Sequence, residues 1–255
     1  MRIVIKVGTS TLAHKTGLLN IKRVEDMCKV ISDLKNAGNE IVLVSSGAIG
    51  MGLGKLGIKK RPEDIPTKQA AAAIGQCELM YTYDMLFSKY NHTVAQILLT
   101  GAFVAIEDYG KNLNNTLNRL LELSVIPIVN ENDTVTTDEI VIGDNDTLGA
   151  IVANEVNADL LIILSDIDGL YTGDPNKNPD AKLIKIVDEI TEDIEALAGN
   201  KGSEFGTGGM ITKIHAAKMA NDNGIDMVIA NGTDPYILYD IINGDAICTR
   251  FKGKR

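Results

Sequence analysis

The chain of 255 residues has no tryptophan, only three cysteines and three histidines, and aromatic residues make up 4% of it. Each scarcity closes off a class of function. Cys28, Cys77 and Cys248 are widely spaced and outside any CxxC or histidine-rich pattern, so neither a disulfide framework nor a zinc site is indicated, and the thiols are expected to be reduced and cytosolic. His14, His92 and His215 are scattered, which leaves no visible constellation for histidine-based acid-base or nucleophilic catalysis. Acidic residues outnumber basic ones, 34 to 25, and the net charge of −9 argues against nucleic acid or an anionic membrane as the main partner. No apolar run approaches the ~20 residues that a membrane helix needs. A soluble cytoplasmic protein is expected.

What is plentiful is aliphatic. Hydrophobic residues make up 45% of the chain, enough for a large core in one α/β domain. Short β-branched runs at Ile3 to Val7, Ile41 to Val44, Val125 to Val129, Leu160 to Leu164 and Met227 to Ala230 read as buried strands. Between them lie helical patterns: Ile21 to Leu34, capped by Asn20 and stopped by Gly38; the alanine-rich Lys68 to Tyr90; Leu113 to Leu123; and Asn145 to Val156. Further strands are expected at Thr93 to Leu99, Glu139 to Gly143, Leu183 to Val187 and Ala246 to Arg250. Helices are expected at Ile190 to Leu197, from Gly209 to Asn223 and near Tyr236 to Ile242. Repeated strand-helix order predicts a mostly parallel sheet with helices on both faces.

Polar residues collect where these strands end. Lys6 interrupts an apolar strand just before Gly8-Thr9-Ser10, and a lysine there is costly unless it meets an anion at the strand's carboxyl end. The alternative is an edge-strand lysine that snorkels to water. Ser45-Ser46-Gly47 begins a glycine-rich stretch read as a loop, or as a tight turn for close packing. Asn130-Glu131-Asn132-Asp133, Asp144-Asn145-Asp146 and Ser165-Asp166 follow later strands. Each could be a turn or cap former. Glycines from 206 to 209 precede a helix with Lys213 in its first turn, an arrangement suited to phosphate on free N–H groups.

Two lysines, a glycine-rich helix start and a group of Asp and Asn residues are what phosphoryl transfer requires, since it depends on positioning and charge neutralisation. There is no GxxxxGK[ST] loop, no HRD or DFG set, and no GxGxxG after the first strand.

The motifs KVGTS at 6–10, SSGAIG at 45–50, NENDTV at 130–135, IGDNDTLGA at 142–150, SDIDGLYTGDP at 165–175 and GTGGMITK at 206–213 resemble, in order and spacing, those of the amino acid kinase family. The resemblance runs from about Arg2 to Ile229. The NEND and GDND pair separates the chain from acetylglutamate, carbamate and nucleoside monophosphate kinases, and resembles the branch that acts on glutamate. The resemblance implies a three-layer αβα sandwich over 1–255, with glutamate over about 1–160 and ATP over about 161–250. It implies transfer of the ATP γ-phosphoryl to the glutamate side-chain carboxylate, for proline synthesis. Lys6 and Lys213 would stabilise the transferring group and Asp146 would orient them. Ser46, Asp133 and Asn145 would bind L-glutamate, with Asp133 on the ammonium. Lys6, Ser165, Asp166, Thr207, Gly208, Gly209, Met210, Ile211, Thr212 and Lys213 would bind ATP. Mg2+ would ride on the phosphates with no dedicated protein ligand. Many family members continue into an RNA-modification-type (PUA) domain, and the resemblance implies a form without one, with 59–69 as the place for any sensitivity to proline. A homo-oligomer is expected, with the next enzyme of proline synthesis as a possible partner.

Overall fold

The computed structural model describes residues 1–14, 18–60, 62–100, 107–135, 145–175, 177–198 and 209–254. Eight strands form one sheet: β1 Arg2–Val7, β2 Glu40–Ser45, β3 Val94–Leu99, β4 Ile126–Glu131, β5 Leu160–Ser165, β6 Ile186–Val187, β7 Asp226–Asn231 and β8 Cys248–Phe251. Their order is β3-β4-β2-β1-β5-β7-β8-β6. Every pairing is parallel except β7 with β8. The first strand of the chain therefore lies near the middle, between β2 and β5. It is Ile3 to Val7 that make this possible, because strands covered on both faces must be apolar on both.

The described helices are α1 Thr9–Leu12, α2 Ile21–Asn36, α3 Ala48–Lys55, α4 Ile65–Ser88, α5 Glu107–Glu122, α6 Asn145–Glu155, α7 Glu192–Leu197, α8 Met210–Asp222 and α9 Ile237–Asn243. Their limits follow local chemistry. The Asn20 side chain accepts from the Arg23 N–H at 3.1 Å and starts α2, while Gly38, at φ +94°, allows the turn after it. Asp64 caps α4 in the same way, accepting from the Thr67 N–H at 2.8 Å.

Alternate residues of each strand face opposite helix layers. Val4, Val44, Val129, Ile163 and Ile229 pack with α5, α6 and α8 through Leu117, Ala150, Ala153 and Ala217. Ile5, Leu43, Ile128, Ile162 and Val228 pack with α2, α4 and α9 through Ile31, Tyr83, Phe87 and Leu238. Burial of each large aliphatic side chain contributes roughly 1.5–3 kcal/mol. The three-layer αβα sandwich read from the sequence is the observed fold.

Two local readings change. The stretch after Gly47 is a helix, α3, rather than a glycine loop. Its glycines serve close packing: a Cβ at Gly52 would lie 1.8 Å from the Ala71 carbonyl oxygen of α4, and one at Gly75 in α4 would lie 1.7 Å from the Ala48 carbonyl oxygen. Leu183 to Val187 contributes only the two residues of β6, and Leu183 instead makes an isolated bridge to Tyr171. The expected strand at 139–143 lies outside the described residues.

Candidate active site

Because side chains alternate along β1, Lys6 shares the face of Val4 and projects toward α6 and α8. It is 8% exposed. Asp146, in the first turn of α6 and fully buried, receives the Lys6 ammonium on Oδ1 at 2.7 Å. Lys213, the fourth residue of α8 and 6% exposed, reaches Oδ2 of the same carboxylate at 2.9 Å. The Thr212 hydroxyl lies 3.0 Å from that oxygen and 2.8 Å from the Gly209 carbonyl oxygen. Burial opposes ionisation of Asp146, but the Lys6 and Lys213 charges and their hydrogen bonds outweigh it and hold the carboxyl down to about 2.

Two ammonium groups share one carboxylate, so the cluster carries a surplus positive charge in a nearly dry place. A surplus of this kind is suited to an anion. At an effective dielectric of about 20, unit charges 4 Å apart attract by roughly 4 kcal/mol. The neighbouring backbone keeps the approach open. A Cβ at Gly8 would stand 3.5 Å from the Lys6 Nζ. The first turn of α8, entered through extended Gly209, presents N–H groups that have no partner within the helix.

A second group adjoins the first through the peptide link between Asn145 and Asp146. The Asn145 side-chain amide donates to Ser46 Oγ at 2.7 Å and to Asn130 Oδ1 at 3.0 Å. Ser46 follows β2, and Gly47 beside it takes φ +103°, a conformation that favours glycine, to enter α3. Asp133 lies half-buried in the turn after β4. Ser165 ends β5 beside β1, and its hydroxyl lies 3.2 Å from Asp166 Oδ1.

The structure thus brings together Lys6, Asp146, Thr212 and Lys213, and separately Ser46 with Asn145. Met210 and Ile211 open α8, with Ile211 exposed. Thr207 and Gly208 lie outside the described residues. Sequence reasoning did not single out Asn130, although its place in the polar cluster after β4 was a signal. Among the described residues there is no group of three His, Cys, Asp or Glu side chains that could hold a metal. No described helix is long and apolar enough to cross a membrane.

A buried anion-seeking lysine pair over the carboxyl ends of a mostly parallel sheet fits the profile described as "Amino acid kinase family", which matches residues 1–231. The chain belongs to the amino acid kinase family. Within it the chain groups with the glutamate 5-kinases. It is 56% identical over 258 residues to the enzyme of that name from Clostridium perfringens, with 100% of this chain and 96% of that one covered. It is 52% identical over 249 residues to the one from Clostridium tetani, with 98% and 93% covered. Among solved structures, carbamate kinase from Giardia lamblia bound to AMP-PNP has the same fold, with a TM-score of 0.70 at 18% identity over 99% of this chain and 98% of that one.

Proposed function

We propose that the protein transfers the γ-phosphoryl group of ATP to the side-chain carboxylate of L-glutamate, forming L-glutamyl 5-phosphate as the first step of proline synthesis. The observation that carries this reading is the single buried carboxylate of Asp146 shared by Lys6 and Lys213. A lone pair of the glutamate carboxylate forms the new O–P bond, the bond from the γ-phosphorus to the bridging oxygen breaks, and its electrons leave with ADP. The nucleophile is already an anion, so no general base is required. The obstacle is repulsion between carboxylate and triphosphate. Lys6 and Lys213 would offset the charge that develops on the transferring group from its two sides, while Asp146 holds both ammonium groups in place.

Ser46, Asp133 and Asn145 would hold glutamate over roughly 1–160, with Asp133 pairing with the ammonium. Ser165, Asp166 and the segment from Thr207 to Lys213 would hold ATP over roughly 161–250. Magnesium would arrive on the phosphates of ATP. The three unpaired cysteines support a cytoplasmic setting. Exposed Tyr81 and Met85 on α4 support association of copies into a homo-oligomer, and the lability of an acyl phosphate supports delivery to the next enzyme.

The test is ADP release with ATP, magnesium and, in parallel, L-glutamate, L-aspartate, N-acetyl-L-glutamate, carbamate and UMP, with hydroxylamine to trap acyl phosphate. Hydroxamate from glutamate alone is expected. Turnover of another acceptor in its place, or ATP binding without turnover, would remove the reading.

A further inference from the structure

A line of side-chain amides runs from the Asn145 amide into the protein, and its polarity can be read from one backbone group. The Glu131 N–H can only donate, and it donates to Asn130 Oδ1 at 2.9 Å. That oxygen must therefore be the atom that Asn130 turns toward Glu131, and it also accepts from Asn145 Nδ2 at 3.0 Å. The Asn130 nitrogen then faces away and donates to Gln76 Oε1 at 2.9 Å, and Gln76 Nε2 donates to Gln96 Oε1 at 3.1 Å. Asn130 and Gln76 are 1% and 8% exposed, so a flip of either amide would leave like groups facing each other without water to separate them. With Nδ2 of Asn145 committed to Asn130 and to Ser46, its Oδ1 remains a buried acceptor with no hydrogen-bond partner among the described residues.

We infer that Gln76 is a positioning residue: through Asn130 it fixes the amide of Asn145 so that Oδ1 is kept as an acceptor for the α-ammonium of the amino-acid substrate. This rests on the proposed glutamate reading. Glutamate offers only one donor group, its ammonium, because both carboxylates are acceptors. A buried acceptor beside the Ser46 hydroxyl is matched by that group and by no other part of the molecule. Gln76 touches no reacting atom. Its contribution is to exclude the flipped Asn145, which would aim N–H groups at a cation.

Steady-state kinetics with L-glutamate and with glutarate, which lacks the ammonium, separate this role from packing. Gln76→Met removes the hydrogen bonds at near-constant volume. We expect it to raise the KM for glutamate about tenfold, leave the KM for ATP unchanged and reduce the preference for glutamate over glutarate. Gln76→Glu keeps the acceptor for Asn130, and the exposed Gln96 can turn its own amide to donate. It should stay within about threefold of wild type. Gln96→Met, on the edge strand, tests the same line without touching helix packing and should shift the preference in the same direction, by less. A glutamate-to-glutarate ratio unchanged in both Met variants overturns the inference, as does an unchanged ratio in Gln96→Met if Gln76→Met does not fold. Gln76→Glu as impaired as Gln76→Met assigns the effect to packing and overturns it too. A wild type inactive on glutamate defeats the functional reading itself. An active wild type with unaltered variants defeats this inference alone.

Discussion

Lys6 and Lys213 meet one carboxylate without sharing an oxygen: the first lies 2.7 Å from Asp146 Oδ1 and the second 2.9 Å from Oδ2. Each ammonium is thus held to its own side of Asp146. Removal of one lysine leaves a balanced pair with the other, so the fold should survive the change. Lys213→Ala is expected to lower kcat by roughly 10²- to 10³-fold with little loss of thermal stability. Hydroxamate formation and a melting curve on the same preparation check this. An active variant would displace Lys213 from the chemistry.

Removal of the carboxylate is different. Asp146→Asn leaves two buried ammonium groups facing each other with no anion between them, which costs about 3–5 kcal/mol. The urea midpoint should fall, and on the proposed reading ATP should recover part of the loss, because its phosphates would supply negative charge at the same place. A midpoint equal to that of wild type would show that the ion pairs are not holding α6 and α8 against β1.

Acid should act through the same group. Asp146 titrates at about 2 when folded against an ordinary value of 3.8, so the folded state binds the proton more weakly than the unfolded state. Its contribution, about 2 kcal/mol, is complete above roughly pH 4 and is lost as pH falls toward 2. The urea midpoint of wild type should fall toward that of Asp146→Asn over that window, closing part of the gap between them, and the two should differ by a constant amount above it. Parallel curves throughout would contradict the assignment.

Close packing near Ser46 yields a prediction away from charge. A methyl group at position 75 would enter the space of the Ala48 carbonyl oxygen, so Gly75→Ala must push α3 and α4 apart. The expected cost is about 1–3 kcal/mol or more. Because α3 starts two residues after Ser46, the KM for glutamate should rise while that for ATP does not. Differential scanning calorimetry and initial rates would measure both, and a melting temperature at or above that of wild type would count against the crossing.

Much of this was legible from residue order. The strands β1, β2, β4, β5 and β7 announce themselves because burial on both faces demands unbroken aliphatic runs, and the lysine inside β1 is conspicuous for the same reason. Lys6, Asp146 and Lys213 were singled out together from motifs, and they do meet. The helix α3 was misread because glycine disfavours helices in isolation, whereas here Gly52 is required by the Ala71 backbone of another helix. That requirement is tertiary and leaves no local trace. Gln76 was invisible for a similar reason: it is one of two glutamines in an alanine-rich helix, nothing in the order of residues tells it from Gln69, and its partners are 20 and 54 residues away. The antiparallel turn of β8 also lacks a local signal, since its hydrogen bonds would satisfy either direction.

The central position of β1 has a consequence for how the protein is made. Arg2–Val7 leaves the ribosome before either of its neighbours, and β2 follows soon enough to cover one of its edges. The strand that covers the other edge, β5, is about 150 residues further on, and at about 5–20 residues per second that edge waits for roughly 8–30 s. For most of that time Lys6 has no Asp146 to meet. The growing chain therefore carries an open apolar strand with an uncompensated charge in it, and nascent-chain binding factors have their clearest opportunity during synthesis of the stretch between β2 and β5.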